Sequence, residues 1–225
     1  MYLNTKGMIV DSMTYEEVVA EFRYDWKNYL TDIIQRHIED NKYRRFILKQ
    51  TEDNIPVNFK PITLTSKRGN KYILQINSKG RSDFKKNGPL YSLYMYYHRP
   101  EGIYAVLLCS IGSKSFETEI YNIYIPHLFD RYRERELKDI HKPKLETIID
   151  FFQKNSTGHY SNLDNPKYKD SVFYTVANGV MLGSIYNSYI YELKTFITFD
   201  MLRGDQIGTN EQLASVLKAY IENEQ

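Results

Sequence analysis

A chain of 225 residues, 42% hydrophobic and 26% charged, is long enough to bury a core, as one domain or as two small ones. Its formal net charge of +2 is too small to mark a nucleic-acid binder by bulk charge, so an anion site has to come from local clustering. A single cysteine excludes an intrachain disulfide and any cysteine-based metal motif. Cys109 sits in the run Ala105-Val106-Leu107-Leu108-Cys109 and reads as a small buried hydrophobe.

Met1 to Asp11 lacks a basic segment followed by an apolar one, and no apolar run approaches ~20 residues. The expectation is a soluble, cytoplasmic protein without membrane contact. The 21 tyrosines are an unusual number. Tyrosine suits strands and half-wet faces, because its ring packs while its hydroxyl reaches water. It also stacks on bases, but at this abundance most of the tyrosines have to be structural.

In chain order, Thr14-Tyr15-Glu16-Glu17 fits a capping box. Apolar or aromatic residues recur at steps of three and four from Tyr15 through Ile38, which predicts one amphipathic helix to about His37. A helical continuation from Tyr43 to Lys49 carries the cluster Lys42, Arg44, Arg45 and Lys49. That cluster reads either as a solvated helix end or as a contact for nucleic acid. After Pro56 come strand signals at Ile62–Thr65 and Tyr72–Ile76, around the hairpin turn Lys67-Arg68-Gly69-Asn70. Ser78 to Pro89 reads as a loop. Leu90–His98, Ile103–Ser110 and Phe116–Ile125 read as further strands of an antiparallel meander packed on the first helix.

Pro126 opens the next helix. His127, Arg131 and Arg135 stand at i, i+4 and i+8, and steps of four turn only ~40° around an α-helix, so the three share a stripe. Leu128, Phe129 and Tyr132 lie on a different arc and form the packing face. Lys144 to Phe152 is a second helix with Leu145, Ile148, Ile149 and Phe152 inward. Asn155 to Asp170 reads as a loop. Strands follow at Val172–Val176, Val180–Tyr186 and Tyr189–Phe199, joined by turns at Asn178-Gly179 and Asn187-Ser188. Simple alternation puts Lys194, Phe196 and Thr198 on one face of the last strand and Thr195, Ile197 and Phe199 on the other. Glu211 to Ile221 is a final amphipathic helix. The expected fold is α+β, with a helix-plus-sheet unit over 1–124 and a helix-plus-meander unit over 125–225. The two share a core or stand apart.

No metal-ligand spacing and no glycine-rich phosphate loop occurs, so neither a metal nor a nucleotide cofactor is expected. Metal-independent cleavage of RNA fits the key helix better. RNA carries its nucleophile in the 2′-hydroxyl. Such a site needs a proton acceptor, a proton donor and cations for the developing negative charge. Histidine and arginine supply these types. Lys194, Thr195 and Thr198 are expected to add donors from the strand packed against the helix. The plain alternative is a salt-bridged surface helix, with Arg131 and Arg135 paired to Asp130, Glu134 or Asp139. Pairs of that kind contribute about 0–1 kcal/mol each.

The order of His127-x-x-x-Arg131-x-x-x-Arg135, a second helix and strands ending in Lys194-Thr195-Phe196-Ile197-Thr198 resembles the barnase–EndoU–colicin–RelE-like group. More narrowly, it resembles an uncharacterised prokaryotic family of that group. In that family the helix reads roughly His-Ala-x-x-Arg-Met-x-x-Arg-Gly-Ile, and a threonine-containing strand ends the domain. The resemblance covers about 126–202. Here Leu-Phe follows the histidine, and Glu136-Leu137 stands where the family has glycine-isoleucine. The resemblance implies a metal-independent ribonuclease, often a toxin or a phage or mobile-element conflict protein, with RNA as substrate and an antitoxin as partner. It also implies His127, Arg131, Arg135, Lys194, Thr195 and Thr198 as the site. A non-catalytic module of the same fold that binds nucleic acid or a protein is the competing expectation. A third is an interaction module that uses the long first helix.

Overall fold

A computed structural model describes residues 9–49, 55–110, 119–155, 158–161 and 170–202. The chain divides into two compact units, Met1–Leu108 and Cys109–Gln225. Both combine helices with a sheet, so the α+β class holds. The expected C-terminal helix at Glu211–Ile221 lies outside the described residues.

In the first unit, α1 (Tyr15–Asp25), a π-type turn (Trp26–Leu30) and α2 (Thr31–Ile38) follow without a break. The capping box forms as expected: the Thr14 amide donates to Glu17 at 2.7 Å and the Glu17 amide donates to the Thr14 hydroxyl at 3.3 Å. The inner face of α1 buries Val18, Val19 and Phe22, and Phe22 meets the edge of Tyr72 with centroids 5.8 Å apart. Asp25 is buried on the same face, where its carboxylate accepts from Asn70 and from the Tyr72 hydroxyl, each at 2.8 Å. A buried carboxylate requires such donors. α3 (Asn41–Leu48) starts from Asp40, whose side chain accepts from the Lys42 amide at 2.9 Å.

Strands β1 (Val57–Asn58), β2 (Ile62–Thr65), β3 (Lys71–Ser78), β4 (Leu90–Arg99) and β5 (Gly102–Ser110) form the sheet of this unit. β3, β4 and β5 are the expected antiparallel meander, and β1 and β2 both pair with β3. The β2–β3 turn places Gly69 at φ 85°, a left-handed conformation that glycine adopts without penalty. The segment read as a loop between β3 and β4 contains a short helix, α4 (Arg81–Asn87). Its sequence, Arg-Ser-Asp-Phe-Lys-Lys-Asn, lacks an apolar periodicity that would have announced it.

The second unit begins with β6 (Glu119–Tyr124), within the strand expected over Phe116–Ile125. Inside this unit it lies parallel to β10 (Ile190–Ile197), a pairing the sequence did not announce, from the pair Tyr121–Ile190 to the pair Tyr124–Leu193. Local alternation cannot distinguish a parallel long-range pairing from an antiparallel neighbouring one. Between them come α5 (Pro126–Tyr132), a π-type turn (Arg133–Leu137), α6 (Lys144–Lys154), β7 (Gly158–Ser161), β8 (Ser171–Val176) and β9 (Gly179–Asn187). The pairing order is β6, β10, β9, β8, β7, antiparallel everywhere except β6–β10. Val176 pairs with Gly179, so the β8–β9 turn is Ala177-Asn178, one residue before the expected Asn178-Gly179. Gly179 is a strand residue, and a Cβ there would lie 2.3 Å from the Ile197 carbonyl oxygen.

The core of this unit is aromatic. Phe151 of α6 makes edge contacts with Tyr124, Phe129, Tyr132, Phe152 and Phe196 at centroid distances of 5.0–6.3 Å. All six rings are buried. The inward set of α6 is Thr147, Ile148, Phe151 and Phe152, while Leu145 and Ile149 are half-exposed. Among the described residues no helix is long and apolar enough to cross a membrane.

Candidate anion-binding site

Pro126 at the first helical position directs the chain from the end of β6 into α5, and Leu128, Phe129 and Tyr132 anchor the helix on the aromatic core. The opposite side carries the cations. His127 is exposed. The Arg131 Nε donates to His127 Nε2 at 3.3 Å, and the other end of the same guanidinium meets Glu134 at 2.7 Å. Arginine has no acceptor atom, so in this contact His127 Nε2 is the acceptor. Glu134 is the carboxylate that the salt-bridged alternative called for, at spacing i, i+3 from Arg131.

Arg135 departs from the ideal stripe. The turn that carries it winds with π-type bonds, so each residue advances less around the axis than an α-helix prescribes. Arg135 comes to rest half-buried, and its guanidinium donates to the carbonyl oxygen of Phe196 in β10. Burial, with Arg131 as a like charge nearby, makes this guanidinium less basic than usual. The next residue, Glu136, accepts from the Asn178 amide at 2.9 Å and so ties the turn to the β8–β9 hairpin. Lys138 closes the turn at φ 52°. On the side facing α6, Arg133 bridges the Asp130 carboxylate at 3.0 Å and the Lys142 carbonyl at 3.1 Å. Asp150 gathers Tyr132 at 2.9 Å, Lys142 at 2.8 Å and Lys154 at 3.0 Å. Burial pushes the Asp150 carboxyl up, but these three donors outweigh it and hold it below the usual carboxylate range.

The strand residues expected to complete the site are distributed differently. Leu193 pairs with Gly183 and Thr195 with Leu182, so Lys194 is the extra residue of a β-bulge. The bulge resets the alternation. Leu193 and Phe196 now share one buried face, with Phe196 against Tyr132 and Phe151, while Thr195 and Ile197 share the other. Lys194 is exposed and pairs with Glu192 at 2.9 Å. The Thr198 hydroxyl donates to Asp200 beyond the end of the strand. His127, Arg131 and Arg135 therefore form the cluster, Arg135 meets β10 through its backbone, and Lys194, Thr195 and Thr198 stand outside it.

Sequence reasoning did not assign Arg133, Glu136 and Asn178 their anchoring roles. The i, i+3 spacing of Asp130 and Arg133 was a readable signal for the first. The Glu136–Asn178 contact spans 42 residues and had no local signal. Among the described residues, no group of three or more histidine, cysteine, aspartate or glutamate side chains is placed to hold a metal ion. The chain matches no protein-family model, no curated protein and no solved structure.

Proposed function

We propose that the chain binds a phosphodiester of single-stranded RNA at the outer side of α5 and cleaves it without a metal, with His127 as the proton-transfer group. The observation that carries this reading is the contact between Arg131 and the accepting Nε2 of His127, with Arg135 close enough to oppose Arg131 electrostatically. Two guanidiniums and an imidazole gather along α5 and the π-type turn after it, with Glu134 paired to Arg131. A phosphate there would relieve the repulsion between the arginines and draw Arg131 away from the imidazole, freeing the Nε2 lone pair.

In the step that follows, His127 Nε2 takes the proton of the 2′-hydroxyl. The 2′-oxygen then bonds to phosphorus, and the bond to the 5′-oxygen breaks with protonation from solvent. The products are a 2′,3′-cyclic phosphate and a free 5′-hydroxyl. Arg131 and Arg135 hold the non-bridging oxygens, whose negative charge grows on the way. General base catalysis of this kind is worth about 10²–10⁴-fold.

The binding-only reading rests on a specific observation of its own. Lys194, the cation expected from the strand, is engaged with Glu192 rather than with the helix cations. One experiment decides between them: purified chain on mixed RNA with EDTA, wild type against His127→Ala and Arg131→Ala. Cleavage lost on His127→Ala with RNA affinity retained supports the enzyme. Affinity lost on Arg131→Ala, with no cleavage by any form, leaves the binding module. Unchanged behaviour of both variants removes the site. A toxin role adds the expectation that expression arrests growth and that His127→Ala relieves the arrest.

A further inference from the structure

The first unit carries a second cationic stripe, of different construction. In α3 and its cap, Lys42, Arg45, Phe46 and Lys49 stand at i, i+3, i+4 and i+7, an arc of about 100° on a helical wheel. Lys49 keeps right-handed helical angles, φ −81° and ψ −14°, so it prolongs the stripe. Tyr43 and Ile47 are the core-facing residues, at 4% and 0% exposure, whereas Phe46 is 54% exposed. A phenylalanine so exposed, among cations and beside a helix face that already has a core, is unexplained by packing.

The Phe46 ring is nevertheless held. Phe59 meets it edge-on with centroids 5.7 Å apart and meets Tyr43 at 4.7 Å, so Phe46 is the outermost of three stacked-up aromatics. Its outer side is left to solvent. Within α3 and its C-cap the charge is one-sided: Asn41 to Lys49 contains Lys42, Arg44, Arg45 and Lys49 and no carboxylate, between Glu39-Asp40 and Glu52-Asp53. Lys42 pairs with Asp40 at 3.1 Å, both side chains being well exposed. Among the described residues no carboxylate pairs with Arg45 or Lys49. α4, in contact with α3, exposes Lys85 and Lys86, and its Asp83 accepts from Asn87 at 2.7 Å.

We propose that this stripe is a docking surface for single-stranded RNA, with Phe46 stacked on an unpaired base and Arg45, Lys49 and Lys42 on the flanking phosphates. Lys42, Arg45 and Lys49 stand about 4.5 and 6 Å apart along the helix axis, a row of cations that can follow successive phosphates of one strand. Cations interleaved with a presented aromatic are the chemistry that single strands require. A membrane surface fits less well, because an interfacial helix needs a broad apolar face and α3 presents one apolar ring. An acidic protein would use the charges and leave the ring without a purpose. The proposal goes beyond the α5 site and stands without it, and relies on that reading only for the choice of RNA over DNA.

The test uses the full chain carrying His127→Ala and Arg131→Ala, so that binding at α5 is weakened and cleavage is absent. A labelled oligouridine is titrated at graded salt and followed by fluorescence anisotropy. Phe46→Ala and Phe46→Leu are expected to weaken binding roughly ten- to a hundredfold at unchanged salt slope, with Phe46→Trp restoring it. Arg45→Ala with Lys49→Ala is expected to flatten the slope by about 1.4, at ~0.7 per lost phosphate contact. Affinity untouched by both sets, or a duplex of equal length bound as tightly, overturns the docking surface. Tighter binding of the deoxyribose strand overturns the choice of RNA. Sedimentation with anionic vesicles that depends on Phe46, without RNA binding, overturns it in favour of a membrane. Because the same two α5 substitutions are present in every arm, none of these results depends on whether wild-type chain cleaves RNA.

Discussion

The α3 and α5 stripes begin from the same arithmetic and end as different objects. Each places cations at helical spacing on the side away from a core. In α5 nearly every charge is committed: Arg131 to His127 and Glu134, Arg133 to Asp130 and the Lys142 carbonyl, Arg135 to the Phe196 carbonyl. In α3, Arg45 and Lys49 have no carboxylate partner among the described residues, and the feature held in place is an aromatic ring. Committed cations are preorganised and partly desolvated, which suits chemistry on one phosphate. Uncommitted ones are hydrated and mobile, which suits tracking along a strand.

The largest expected difference lies in what stands behind each stripe. Phe151→Ala removes the ring on which Tyr124, Phe129, Tyr132, Phe152 and Phe196 converge, and should cost about 3–5 kcal/mol in a urea titration. Phe46→Ala, at an exposed position, should cost less than ~1 kcal/mol. Comparable costs would mean that Phe46 is a core residue, and the comparison would collapse.

The arginines should separate next. Arg135→Ala leaves the Phe196 carbonyl without its donor and should destabilise by about 1–3 kcal/mol. Arg45→Ala should stay within about 0.5 kcal/mol. Thermal unfolding of the two variants side by side reads the difference, and a neutral Arg135→Ala would return that residue to the solvated face.

The smallest effect is one of pH. Asp150 has its folded pKa depressed, so its contribution is present above the ordinary carboxylate value and is lost as pH falls through the folded value. Asp150→Asn should therefore be less stable than wild type at pH 7, by about 1 kcal/mol for a partly exposed cluster, and equal to it near pH 2. A gap that persists at low pH would show that the Asp150 cluster acts through shape rather than charge.

How much of this was legible beforehand depended on range. The capping box at Thr14, the helix it opens, the β2–β3 hairpin and the seating of α5 by Leu128, Phe129 and Tyr132 all rest on residues within a few positions of one another, and periodicity reports them. The parallel partner of β6 is more than sixty residues away and leaves no local trace. Within the candidate site, His127 and Arg131 meet as their i, i+4 spacing requires. Arg135 was displaced by a π-type turn, and Lys194 and Thr195 by a bulge that inserts one residue into an alternating pattern. A wheel or an alternation assumes constant winding, and a single irregular residue rotates everything after it.

The sequence by itself determined most of the helices and strands, though not α4 or β7, that the class is α+β, and that cations gather at Lys42–Lys49 and His127–Arg135. Tertiary structure decided which of those cations are held, and by which groups. That choice turns on carbonyls and carboxylates brought from distant strands and turns, such as Phe196 meeting Arg135 across 61 positions. Hydrogen bonds form between groups that packing brings within about 3 Å, and packing is a property of the whole chain rather than of any one helix.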